Sequence, residues 1–167
     1  MQNALQQRYY SCCFTGHRIL GTDEKRNRIY EILINEIERL VEERGVDTFI
    51  CGGAMGFDTL AAKAVIYLKK KNPDIRLKLY IPCYNHFFKW SYKDKAIWRY
   101  ISSYADESIY ITDGPYEEGC MKKRNYAMVD DAHYCLAYCI KSGSGTGSTL
   151  KYAELKGRAI NNIADIM

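Results

Sequence analysis

The sequence predicts an α/β fold, a mainly parallel sheet of about six strands with helices on both faces. Three observations predict it. Short apolar or aromatic runs alternate with longer segments of helical spacing along the whole chain. Glycine or proline closes most of these runs. The 167 residues are 47% hydrophobic and 26% charged, the size and balance of one soluble globular domain. Strands that alternate with helices build a sheet buried on both sides. Neither a linker nor an internal repeat divides residues 1–167.

Each element has its own justification. Tyr9 to Thr15 is aromatic and apolar and ends at Gly16, so it reads as a buried strand. Asp23 to Arg44 places Ile29, Ile32, Leu33, Ile37, Leu40 and Val41 on one helical face, with Gly45 just past its end. Val46 to Cys51 is the second strand, closed by Gly52-Gly53. Gly56 to Lys71 is helical through Leu60, Ala61, Ala64, Val65 and Leu68, and Pro73 marks its end. Ile75 to Ile81 is the third strand, stopped by Pro82. Tyr84 to Tyr104 is an aromatic loop leading into a helix. Glu107 to Thr112 reads as a strand, Tyr116 to Asp131 as a helix and His133 to Ile140 as the fifth strand. Lys141 to Ser148 is a glycine-serine loop, Thr149 to Lys156 a helix and Arg158 to Ile163 the last strand.

Composition excludes several classes. The net charge of +4 suits an anionic ligand without demanding nucleic acid. The run Lys69-Lys70-Lys71 reads as a solvated helix end. No apolar run is long enough for a membrane span, and Met1 to Arg8 has no signal core, so the cytoplasm is the expected location. The seven cysteines are odd in number and lie mostly in apolar runs, which reads as reduced buried thiols. Cys135 and Cys139 lack a second ligand pair, so no metal is expected.

Ligands of open parallel sheets bind where strand ends lead into helices. Three such loops carry suitable chemistry. Thr15, Gly16, His17 and Arg18 follow the first strand, and Arg18 has the fork that grips a phosphate or carboxylate. Gly52, Gly53, Ala54, Gly56 and Asp58 open the second helix, with glycines that let backbone amides approach an anion. Asp58 in the first turn either contacts a ribose or base or favours the helix start. The loop is neither the dinucleotide fingerprint nor a Walker loop. Gly143, Ser144, Gly145, Thr146 and Ser148 offer amides and hydroxyls at a third such junction. The aromatic patch of Tyr84, Phe87, Phe88, Trp90, Tyr92 and Trp98 reads as core or a subunit contact rather than a base-stacking platform.

Cys13 to Arg18, the run Gly52 to Ala62, Ile81-Pro82-Cys83, Trp90 and Arg124 to Asp130 resemble the YpsA-like branch of the SLOG superfamily, over nearly the whole chain. That superfamily takes its name from the DNA-processing proteins Smf/DprA and the LOG cytokinin-activating enzymes. The resemblance implies a Rossmann-like three-layer fold and a nucleotide or nucleotide-derived ligand, with Arg124 and Asn125 joining the site. It makes a homodimer plausible. In LOG enzymes an arginine and a glutamate of a Pro-Gly-Gly-x-Gly-Thr-x-x-Glu motif cut a nucleoside monophosphate from its base. Arg124 matches that arginine and Gly143 to Thr146 loosely match the glycines. The prolines and glutamate have no counterpart, and the nearest acid is Glu154. Arg124 and Glu154 are therefore the candidate catalytic residues of an alternative reading, a nucleotide N-glycosidic hydrolase. The leading expectation is binding or sensing of a nucleotide-like small molecule or phosphate, with no obligatory cofactor. A DprA-like single-stranded DNA binder ranks last, because no basic stripe is visible.

Overall fold

The computed structural model describes residues 3–167. The chain runs α1 (Ala4–Tyr9), β1 (Ser11–Gly16), α2 (Asp23–Arg44), β2 (Thr48–Cys51), α3 (Phe57–Lys71), β3 (Arg76–Ile81), α4 (Tyr92–Tyr104), β4 (Glu107–Tyr110), α5 (Cys120–Asp130), β5 (Tyr134–Tyr138), α6 (Gly145–Leu155) and β6 (Ala159–Asn162), closed by a short 3₁₀ turn at Ile163–Ile166. The six strands form one parallel sheet in the order β4-β3-β2-β1-β5-β6. This is the helix-covered parallel sheet that the alternating pattern predicts and the Rossmann-like arrangement that the family resemblance implies.

Topology and handedness place the helices. The chain steps outward from β1 to β4, then returns to put β5 on the other side of β1. Right-handed crossovers in opposite directions cover opposite faces. Accordingly α2, α3 and α4 bury Ile29, Leu33, Ile37, Val65 and Ile101 against Phe14, Phe49, Leu77 and Leu79. On the other face, α5 and α6 bring Met128, Val129 and Ala153 onto Cys13, Ile50 and Cys135. Adjacent residues of one strand therefore feed two cores, which is why β1 and β2 read as continuous apolar runs. The strand order reverses between β1 and β5, where a crevice opens at the carboxyl ends.

Local signals fix the helix ends. Thr22 caps α2 by accepting from the Lys25 amide at 3.3 Å, and Gly45 ends it with φ +67°. Ser91 caps α4: its hydroxyl accepts from the Asp94 amide at 3.1 Å and donates to Asp94 Oδ2 at 2.8 Å. The first strand begins at Ser11 rather than Tyr9, which ends α1, and two helix starts differ from the sequence reading by a full turn. The fifth helix starts at Cys120 rather than Tyr116, because Gly119 takes φ +84° and breaks the backbone there. The sixth starts at Gly145 rather than Thr149, because the Ser144 hydroxyl accepts from the Gly147 amide at 3.1 Å and nucleates the turn earlier. Glycine costs a helix interior about 1 kcal/mol relative to alanine, so this first turn looks like a loop by composition. The polar amino terminus also carries a helix, α1, capped by Asn3. No helix among the described residues is long and apolar enough to cross a membrane.

Candidate functional site

At the β1–β5 reversal lies a cleft of about 300 Å³, lined by Thr15, Gly16, His17, Arg18, Ala54, Asp58, Met121, Arg124, Asn125, Ser144, Gly145 and Thr146, with Phe14 at its base. Residues from all three predicted loops, and from α5, meet in it. A hollow of about 360 Å³ lies at the opposite ends of the strands, but its Arg39 is already committed to Glu36 at 2.9 Å and Glu43 at 3.6 Å. Ion pairing inside the protein leaves that arginine little to offer a ligand.

The first wall is the segment after β1. The His17 amide donates to the Tyr138 carbonyl at 3.2 Å, and its Nε2 accepts from the Ile140 amide at 2.9 Å. Accepting fixes the ring as the Nδ1–H tautomer. Burial, reinforced by Lys141, lowers the ring's pKa, so it stays neutral at pH 7. His17 thus ties β1 to the loop that leads into α6. Gly16 has no room for a side chain, because the buried Phe57 ring lies against it. The Arg18 side chain is exposed and makes no ion pair or hydrogen bond among the described residues.

The floor is a buried electrostatic pair. Arg124 Nη1 donates to the Gly52 carbonyl, and its Nε donates to Asn125 Oδ1 at 2.8 Å. Asp58 Oδ2 accepts from the Ala54 amide at 3.3 Å. A Cβ on Gly52 would lie within 2.8 Å of both the Arg124 guanidinium and Asp58 Oδ2, so the two groups face each other across that glycine. Both are buried, at 4% and 7% exposure. Burial raises the Asp58 pKa to about 6, although Arg124, the Ala54 amide and Arg18 pull it down. Burial likewise lowers that of Arg124, with Asp58 acting in the opposite sense. A carboxyl near 6 beside a cleft can exchange a proton at neutral pH.

The second wall is the start of α6. The Ser144 hydroxyl is spent within the protein, accepting from Gly147 and donating to the Lys141 carbonyl at 2.6 Å. The amides of Gly145 and Thr146, in the first turn, have no acceptor among the described residues, as helix geometry requires. Both residues line the cleft, and the helix dipole adds positive potential there. The Thr15 and Thr146 hydroxyls also line it without a hydrogen bond to the described residues.

The other predicted residues lie elsewhere. Gly52 sits beneath the floor. Gly53 and Gly56 face a neighbouring cavity. Gly143 and Ser148 flank the cleft-lining part of their loop without lining the cleft themselves. Glu154 is exposed in the second half of α6, outside the cleft, so the acid brought to Arg124 is Asp58. The sequence reading missed Met121, which shares its helix face with Arg124 three residues on; that spacing was the available signal.

A six-stranded parallel sheet covered by helices on both faces, with glycine-rich loops at its reversal point, defines a Rossmann-like α/β domain. Residues 12–162 match the profile described as the YspA SLOG family, and the chain belongs to that family. It is 30% identical to the uncharacterized SPbeta prophage-derived protein YoqJ of Bacillus subtilis, over 76% of this chain and 81% of that one. A UPF0398 protein of Staphylococcus epidermidis is 31% identical over 64% of this chain and 56% of its own length. UPF0398 protein YpsA of Bacillus subtilis is 25% identical over 53% and 49%. The chain thus spans about half the length of these UPF0398 relatives. Among solved structures, DprA of Helicobacter pylori, described for its single-stranded DNA binding mode, superposes with a TM-score of 0.65 at 16% identity. That match covers 94% of this chain and 66% of DprA. DprA of Streptococcus pneumoniae gives 0.62 at 18%, covering 93% and 51%. At these identities the likeness concerns the fold.

Proposed function

We propose that the β1–β5 cleft binds a phosphate-bearing nucleotide or nucleotide derivative as a binding or sensing module. One observation carries this reading. The open amino terminus of α6 presents the Gly145 and Thr146 amides to a cleft that also holds Arg18 and Arg124. Amides, a dipole and guanidinium groups converging on one hollow form an anion site. The Thr15 and Thr146 hydroxyls and Asn125 supply further polar contacts for a sugar or phosphate. Isothermal calorimetry with AMP, ADP, ADP-ribose and NAD tests it. Binding tighter than millimolar that is lost in Arg18→Ala is expected; no binding in that range overturns the proposal.

A second reading is favoured by Asp58. Its raised pKa, near 6, and its position across Gly52 from Arg124 suit a general acid in cleavage of an N-glycosidic bond. Incubation with nucleoside monophosphates and NAD, followed by chromatography, checks it. Release of free base that disappears in Asp58→Asn supports catalysis, whereas intact ligand after prolonged incubation leaves binding alone.

A further inference from the structure

A second cavity of about 180 Å³ adjoins the cleft, and Arg18 lines both. It lies between the start of α3 and the segment leading into α4. Trp90 and Trp98 form one side, and Gly53, Gly56 and Met55 the other. Trp98 stacks on Phe87 at 4.5 Å between ring centroids, 14° from parallel, while His86 stands edge-on to both tryptophans at about 5.5 Å. Interlocked rings make a rigid wall.

Two features of this cavity are unaccounted for by folding. Arg18, Arg26 and Lys63 line it, and none makes an ion pair or side-chain hydrogen bond among the described residues. The one acid present, Asp94, is occupied by its cap with Ser91. In addition, the indole N–H of Trp98 is buried without an acceptor. A buried donor without a partner is costly, and a bound acceptor would recover that cost.

We infer that the ligand is a dinucleotide, with one nucleoside phosphate in the β1–β5 cleft, its linking phosphates over Arg18, and its second base against Trp90 and Trp98. This rests on the proposed nucleotide site and extends it. The tryptophans supply a π-surface that any base can use, the Trp98 N–H supplies a donor for a ring nitrogen or carbonyl, and the cations hold the linking phosphates. The small volume suits one heteroaromatic base.

The experiment compares diadenosine diphosphate with ADP-ribose, which is the same molecule without its second adenine. Trp90 and Trp98 are the only tryptophans of the chain, so intrinsic fluorescence reports directly on this cavity. Diadenosine diphosphate is expected to bind at least tenfold more tightly and to quench emission, while ADP-ribose does not quench. Trp90→Ala should narrow the affinity gap to less than threefold. Equal affinities without a change in emission overturn this inference and leave the first cleft as the nucleotide site. Binding of neither ligand overturns both. Quenching only by an oligodeoxynucleotide, with affinity falling steeply in salt, gives the cavity to single-stranded DNA and overturns the dinucleotide.

Discussion

The two glycine-rich loops look alike in sequence and differ in what their glycines are for. In the β2–α3 loop every glycine is explained from within. Gly52 lies against Arg124 and Asp58, Gly53 takes φ +68° beside Trp98, and Gly56 takes φ +78° with Arg18 backbone pressed against it. In the β5–α6 loop only Gly147 is so constrained, by the backbone of Ser142. Gly143 and Gly145 have ordinary φ and open space where a side chain would begin. The first loop needs glycine to fold. The second keeps Gly145 bare where the cleft opens, which packing does not require.

The largest effect should come from the pair that the first loop encloses. Arg124→Ala would leave Asp58 buried with only the exposed Arg18 as a nearby cation. Removing one partner of a buried charge pair costs about 3–5 kcal/mol. Urea unfolding at pH 7 is expected to show a loss of that order. A loss below about 1 kcal/mol, the scale of an exposed pair, would mean that Asp58 is solvated and the first loop is not a closed electrostatic unit.

Asp58 gives the next effect, and its sign is informative. Its folded pKa, about 6, lies above the ordinary 3.8 of the unfolded chain, so folding takes up a proton between those values. The contribution to stability is greatest below pH 3.8 and is lost as pH rises through 6. A shift of roughly two units corresponds to about 3 kcal/mol. The histidines work against it: burial lowers His17, His86 (to about 4) and His133, so they cost stability as pH falls. The wild type minus Asp58→Asn difference isolates the carboxyl. That difference should shift by about 2.5 kcal/mol in favour of wild type between pH 7.5 and pH 4. A pH-independent difference would place the carboxyl in water.

Much of this was legible in the sequence. The Asp23–Arg44 helix has its predicted limits because cap, apolar face and terminal glycine all agree. The sheet followed from alternation alone, since the central strands β1, β2 and β5 are buried on both faces while the edge strands β4 and β6 are not. The cleft residues Thr15 to Arg18 and Ser144 to Thr146 were visible because strand-end loops converge in any parallel sheet. What stayed hidden depends on three-dimensional proximity. Nothing local says that Asp58 faces Arg124, 66 positions later, or that His17 uses its ring to hold Ile140. The aromatic segment was read as core or a subunit contact; Tyr84, Phe88 and Tyr92 are exposed, at 51, 57 and 85%, so they do not belong to the core. Composition cannot distinguish an aromatic that fills a core from one that borders a cavity.

Within the β5–α6 loop itself, Gly147→Ala and Gly145→Ala separate folding from binding. At an ordinary helical site alanine gains up to about 1 kcal/mol over glycine. At Gly147 the new methyl would overlap Ser142 backbone, and overpacking of this kind costs about 1–3 kcal/mol, so a net loss of about 1–2 kcal/mol is expected.

Gly145→Ala should produce the smallest change in stability and a clear change in binding. Its φ suits any residue and no atom lies within 4 Å of the added carbon, so thermal unfolding should move by the equivalent of about 0.5 kcal/mol or less. Gly145 nonetheless lines the cleft, and its amide is one of the two free donors there. A methyl beside that amide would hold a phosphate away from it, and nucleotide affinity should fall at least tenfold by calorimetry. If affinity and stability both stay at wild-type values, the open space at Gly145 is incidental. The two loops would then differ in packing alone, and the anion site would have to rest on Arg18 and Arg124.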